Sequence, residues 1–168
     1  MKILIKQLLA ASIVAGTTVA TSTQQADSNG DIRFGGNVPV TNLCFILVRR
    51  DGTYAQSPDA TQLSSRQAGG ISGVADIFAI FPFQIFVDAP SFFITRPPGG
   101  DTGVSHQAFF SGTALNARGV TFPERPGSSP VQFPAFFGST RLFVNLEATR
   151  ADPFPEGDYT STATVRCE

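Results

Sequence analysis

From Asp31 onward, no stretch of this 168-residue chain keeps apolar residues at helical spacing for three turns. What recurs instead is alternation with a period of two, in short runs cut by glycine and proline. That pattern restricts the chain to an all-β fold, an antiparallel sandwich or barrel. The clearest runs are the last two. Arg141 to Ala148 places Leu142, Val144, Leu146 and Ala148 on one face, with Phe143, Asn145 and Glu147 opposite. A half-solvated antiparallel strand has this form. Tyr159 to Glu168 places Tyr159, Ser161, Ala163, Val165 and Cys167 on one face. Cys167 is therefore on the inward phase.

Other strands follow from the same rule. Ile32 to Val40 alternates around Gly35-Gly36, which reads as a bulge or bend. Asn42 to Val48 is apolar on both faces and reads as a central strand buried on both sides, or an inner-face strand next to a covered one. Arg50-Asp51-Gly52 then signals a hairpin. Thr53 to Gly73 reads as a loop with one short edge strand. Val74 to Ala79 and Phe83 to Val87 are strands joined around Phe81-Pro82, and Phe92 to Ile94 is a further short run. Val104 to Phe110 alternates with Val104, His106, Ala108 and Phe110 on one side. Asn116 to Pro134, with four prolines, reads as irregular. The core is dominated by phenylalanine, since the chain has 16 Phe and no Trp. Neighbouring strand residues point to opposite faces. One ring of each pair Phe92-Phe93, Phe109-Phe110 and Phe136-Phe137 should therefore face away from the core, as an aromatic ligand surface would require.

The N-terminus sets the compartment. Met1 to Lys6 carries the only two lysines, Lys2 and Lys6, and Leu8 to Ala20 is apolar or small and uncharged. This is the three-part pattern of a secretory signal peptide, residues 1–22, with cleavage after Ala20 or after Ser22. The stretch is short for a spanning helix, which needs about 20 apolar residues. No membrane span is expected after cleavage, and the protein is expected to be secreted, periplasmic or held at the cell surface. Residues 23–30 form a polar leader, and residues 31–168 a single β-sandwich domain. Without the signal, ten arginines face 13 acidic residues, a net of −3. No basic field remains for a phosphate backbone, so nucleic acid is excluded as a main partner. In an oxidising compartment the two cysteines, Cys44 and Cys167, most simply form one bridge. Two cysteines and the single His106 do not make a structural zinc site.

Four places in the sequence bear on chemistry. His106 is the one candidate base for a nucleophilic triad, but it sits in an alternating strand with no Gly-x-Ser-x-Gly nearby, and a structural role is expected. Glu124, Glu147, Asp152, Glu156 and Asp158 are the carboxylates available for a glycosidase-like pair. Asp27 to Asp31 resembles the start of a calcium loop, but Ile32 and Val38 stand where Gly and Glu belong, which favours a solvated linker. Gly69-Gly70 and Gly99-Gly100 read as turns rather than a phosphate cradle. No catalysis and no cofactor are expected.

Three stretches together resemble a family. Gly30 to Ile46 (GDIRFGGNVPVTNLCFI) looks like a Gly-x-Ile-x-Phe-x-Gly strand leading into a Cys. The stretch around Ala89 to Val104 resembles a VDAP…F…GGDTGV segment, and Phe154 to Glu168 (FPEGDYTSTATVRCE) resembles a closing FPAGxYxxxVTVxC strand. The similarity is to the spore coat protein U and fimbrial-pilin-like group of exported bacterial proteins. It implies an Ig-like sandwich and a structural or adhesive role at the cell surface. The implied partners are other surface subunits or an export chaperone. Two features depart from the group. Thr21 to Gly30 has no apolar side chain larger than Ala26, which makes it a poor donor strand. The expected disulfide would span nearly the whole mature domain rather than a short loop. A monomeric binding module using an aromatic groove or loops for a carbohydrate or small ligand fits these departures as well.

Overall fold

The longest strand organises the fold. The computed structural model describes residues 43–134 and 137–168. Within them lie β1 (Cys44–Arg50), β2 (Ala55–Gln56), β3 (Gln62–Ser64), β4 (Gly73–Ala79) and β5 (Phe83–Asp88). These are followed by β6 (Ser105–Ala114), β7 (Phe122–Pro126), β8 (Val131–Phe133), β9 (Gly138–Thr149) and β10 (Thr164–Cys167). No helix occurs among the described residues. β9 pairs with β6 from Thr140 to Thr149 along one side. Along its other side it pairs with β4 from Gly138 to Val144, then with β3 from Glu147 to Thr149. β1 extends the sheet beyond β4, β2 beyond β3 and β7 beyond β6. A second sheet has the order β10-β5-β8. All of these pairings are antiparallel.

The period-two pattern explains the core. Ile77 and Ala79 of β4, Ala108 and Phe110 of β6 and Leu142 of β9 face inward from the large sheet. Phe83, Ile85 and Val87 of β5, Val131 and Phe133 of β8 and Val165 of β10 meet them from the small one. Gly127 stitches the sheets together, its N–H donating to the Ala108 carbonyl and its own carbonyl accepting from the Val87 N–H. A Cβ at Gly127 would collide with the Val87 carbonyl oxygen. Cys44 of β1 and Cys167 of β10 are disulfide-bonded, with Cα atoms 6.4 Å apart, and so tie the two sheets together. A smaller cluster of Leu63, Phe93, Ala148 and Phe154 packs with Tyr54, Val104 and Tyr159.

Several expectations are corrected. Asn42 to Val48 is not buried on both faces: β1 pairs with β4, and its Phe45, Leu47 and Val48 are exposed. An apolar run on both faces does not distinguish a strand covered on both sides from one with an exposed outer face. Asp51-Gly52 closes no hairpin, because β1 pairs with the distant β4. Gly52 instead packs against Gly73, whose nitrogen a Cβ would approach to 2.9 Å. Thr53 to Gly73 holds two short strands, not one, and Phe92 to Ile94 holds none. Val104 to Phe110 is part of a longer strand that runs to Ala114. The proline-rich stretch Asn116 to Pro134 contains β7 and β8. Pro123 and Pro126 are tolerated because β7 pairs only with β6 among the described residues, and a missing N–H on its other side leaves no described partner wanting. The last run shrinks to Thr164–Cys167, preceded by an isolated bridge between Thr95 and Thr160. The signal peptide, the polar leader, the strand expected over 32–40 and the calcium-like Asp27 to Asp31 lie outside the described residues.

Candidate functional site

The outer face of the large sheet carries the polar chemistry. At its β1 end, register aligns Leu47 of β1, Asp76 of β4 and Arg141 of β9. The Asp76 side chain is 2% exposed. Arg141 binds it in bidentate fashion, Nε to Oδ1 at 2.8 Å and Nη2 to Oδ2 at 3.0 Å. Arg49 Nε reaches Oδ2 at 2.7 Å. The Arg141 guanidinium, helped by Arg49, holds the Asp76 carboxyl below the usual carboxylate range against the opposing effect of burial. A carboxylate inside a sheet is tolerable only with such partners.

Apolar side chains are exposed beside this ion triad. Phe45 lies across from Phe78. Phe78, Ile80, Leu115 and Phe137 line an open groove together with the charged Arg49, Asp76 and Arg141. Phe45 is 52%, Phe78 39% and Phe137 62% exposed.

Farther along the same face, a second network clamps the segment after β3. The Asn145 amide oxygen accepts from Ser65 Oγ at 2.9 Å and Ser72 Oγ at 2.7 Å. The Asn145 amide nitrogen donates to Glu124 Oε2 at 2.7 Å. Arg66 donates to Glu124 Oε1 at 2.9 Å and to Glu147 Oε2 at 2.5 Å, and its guanidinium lies 4.0 Å from the Phe109 ring centre. Of the five carboxylates singled out in the sequence, the structure thus brings Glu124 and Glu147 together on one guanidinium. Asp152, Glu156 and Asp158 lie exposed in the turn before β10. Asn145 is not half-solvated as its strand phase suggested: this network buries it.

His106 faces the smaller core cluster, edge-on to Phe93 with ring centres 4.7 Å apart. Neither ring nitrogen has a hydrogen-bond partner among the described residues. Burial pushes its pKa down, and the Asp101 charge only partly opposes this. No nucleophile is bonded to it, so the structural role fits its surroundings. The unfolded chain binds the proton more readily than the folded one. The contribution is therefore fully present above the unfolded value near 6.5 and is lost as pH falls below it toward the folded value. The melting temperature should fall between pH 7.5 and 5. His106→Leu, which leaves no buried nitrogen to charge, should remove most of that slope. An unchanged slope in the variant would locate the acid sensitivity elsewhere.

Both described pairs divide between core and surface, Phe109-Phe110 by strand alternation within β6 and Phe92-Phe93 within a loop. Phe93 and Phe110 are fully buried, Phe92 is exposed and Phe109 lies under Arg66. Phe137 is exposed, while Phe136 lies outside the described residues. The sequence reading missed Asp76, Arg49, Arg141, Arg66, Asn145 and Asp101. Asp101 Oδ1 accepts the Phe93 N–H at 3.0 Å and its carboxylate pairs with Arg96. The lone acid inside the apolar run GVADIFA was a visible signal for Asp76. Compared with known proteins, the chain matches no family model, no curated protein and no solved structure.

Proposed function

We propose that this chain is an exported structural or adhesive subunit of a bacterial cell surface. It would have the Ig-like sandwich of the pilin-like and spore coat protein U groups and act without catalysis. The observation that carries the proposal is the Cys44–Cys167 bridge. It joins the first described strand to the last across 123 residues and both sheets. A bond of this kind persists in an oxidising compartment, in keeping with the signal-peptide pattern of residues 1–22. Exposed Phe92 and Ile94, on either side of the fully buried Phe93, supply an apolar contact loop for a neighbouring surface component.

A second reading is a monomeric module that binds a carbohydrate or small ligand. The open groove beside Phe78 and Phe137 favours it. Size exclusion and negative-stain microscopy of the secreted protein separate the two. Fibres or dissociable ladders support the subunit. A compact monomer whose melting temperature rises with a glycan supports the module and overturns the subunit.

Strand donation by the polar leader would bury threonine, serine and glutamine side chains in an apolar groove, at roughly 1–3 kcal/mol for each unsatisfied group. Deleting Thr21 to Ser28 from the mature protein should therefore leave its fold and oligomeric state unchanged. Fibres that vanish on this deletion alone would make the leader a donor strand.

A further inference from the structure

We propose that the groove beside β4 binds the uronate residues of an acidic polysaccharide. The inference rests on the ligand-binding reading of this groove and names its ligand class. It holds whether or not the protein assembles into fibres. The groove encloses about 530 Å³, within the range of roughly 300–1,000 Å³ usual for small-ligand sites. Its charge is unbalanced. Arg49 and Arg141 share the one carboxylate of Asp76, which leaves a net charge of +1. The Asp76 side chain is 2% exposed, whereas those of Arg49 and Arg141 are 47% and 40% exposed, so the cations are what solvent meets. Asp76 takes up Arg49 Nε and Arg141 Nε and Nη2. Both Nη groups of Arg49 and Nη1 of Arg141 have no partner among the described residues. Planar guanidinium forks of this kind suit a carboxylate.

The rest of the groove suits a sugar. Register sets Asp76 across from Arg141 and Phe78 across from Ser139, two residues farther along the same face. That step is about 7 Å along a strand, the span of a pyranose ring and the carboxylate it bears. Exposed Phe78 and Phe137 offer ring faces, whose negative quadrupole attracts the C–H bonds on the face of a sugar. Ser139 also lines the groove and is only 7% exposed, yet its Oγ has no hydrogen-bond partner among the described residues. A buried hydroxyl left unpaired is costly, and a sugar hydroxyl would satisfy it. Phe137 is held at φ 58°, a conformation rare for a bulky residue. Asn116 fixes it there, its Nδ2 donating to the Phe137 carbonyl at 3.0 Å and its Oδ1 accepting the Ser139 N–H at 3.2 Å. Backbone strain of this kind clusters at binding sites. A fatty acid would leave the Ser139 hydroxyl unmatched, and inorganic phosphate would leave the rings unused.

Tetragalacturonate and its methyl ester, the same sugars without the charge, test the proposal by calorimetry on the secreted protein. The acid should bind, more weakly as salt rises, and the ester should bind at least about tenfold less tightly. Arg49→Gln should weaken the acid about tenfold and leave the ester unchanged. Ser139→Ala should weaken both several-fold without lowering the melting temperature, because it removes an unpaired hydroxyl. Arg166→Gln, on the small sheet, should alter neither. If Arg49→Gln impairs folding, Ser139→Ala carries the test. Equal binding of acid and ester would overturn the uronate assignment and leave a neutral carbohydrate groove. Binding of neither would remove the ligand-binding reading as well. Acid binding indifferent to Arg49→Gln and to Ser139→Ala would place the site elsewhere and overturn the proposal.

Discussion

Replacing both bridged cysteines, Cys44→Ala/Cys167→Ala, should lower the stability of the exported protein by roughly 4–5 kcal/mol. The bond closes a loop across 123 residues, and loop-closure entropy of the unfolded chain sets that scale. Domains of this size are stable by about 5–15 kcal/mol, so the loss takes a large share of the total. The sheet signal in circular dichroism should nevertheless survive at low temperature. The main apolar cluster joins both sheets through β4, β6 and β9 on one side and β5 and β8 on the other, and none of these strands contains either cysteine. Chemical denaturation of the oxidised protein and the double variant measures the difference. A shift below about 1 kcal/mol would mean that the unfolded chain gains little freedom when the bridge is lost.

The legible parts of this fold are those whose alternation is one-sided. Leu142, Val144, Leu146 and Ala148 fixed the phase of β9, and Phe83, Ile85 and Val87 that of β5, from sequence alone. Both phases hold in the structure. The all-β class follows from these runs and from the lack of helical periodicity. Pairing was not legible. Asp51-Gly52 is a local turn signal, but β1 pairs with residues of β4 that lie 24 or more positions away, which no local pattern encodes. β7 and β8 were hidden because prolines suppress a strand reading, although an edge strand needs only half of its N–H groups.

The polar networks were less visible still. Glu124 and Glu147 are 23 residues apart, and only the register of β9 with its neighbours brings both to Arg66. Asn145 read as solvent-facing because phase gives the face of a sheet, not what lies on that face. Here the segment from Ser65 to Ser72 covers it. The opposite error occurred at Phe45 and Leu47. Their hydrophobicity suggested burial, and the described residues leave them open. A sequence pattern records which surfaces avoid water, but not which segment meets that need.

Phe93→Ala should destabilise the protein by about 3–5 kcal/mol, the range for emptying a buried aromatic site. Phe93 is wholly buried, and its ring meets four others edge-to-face: Tyr54 at 6.1 Å, His106 at 4.7 Å, Phe154 at 6.1 Å and Tyr159 at 4.9 Å between centres. Removing it takes away transfer energy and all four ring contacts at once, which favours the upper part of that range. The backbone cannot easily collapse into the void. The Phe93 N–H is held by Asp101 and its carbonyl by Arg96 at 2.6 Å, while Tyr159 Oη is fixed to the Pro155 carbonyl at 2.7 Å. The loss should also change the pH response. With Phe93 gone, water can reach the unpartnered His106 nitrogens, the imidazolium becomes easier to form in the folded state, and the stability difference between pH 7.5 and 5 should shrink. Phe93→Leu, which refills most of the volume, should recover part of the stability and part of the pH slope. If Phe93→Ala loses stability but keeps the full pH slope, His106 is desolvated by something other than this ring. A loss below about 1 kcal/mol would mean that the smaller cluster repacks freely and contributes little to the fold.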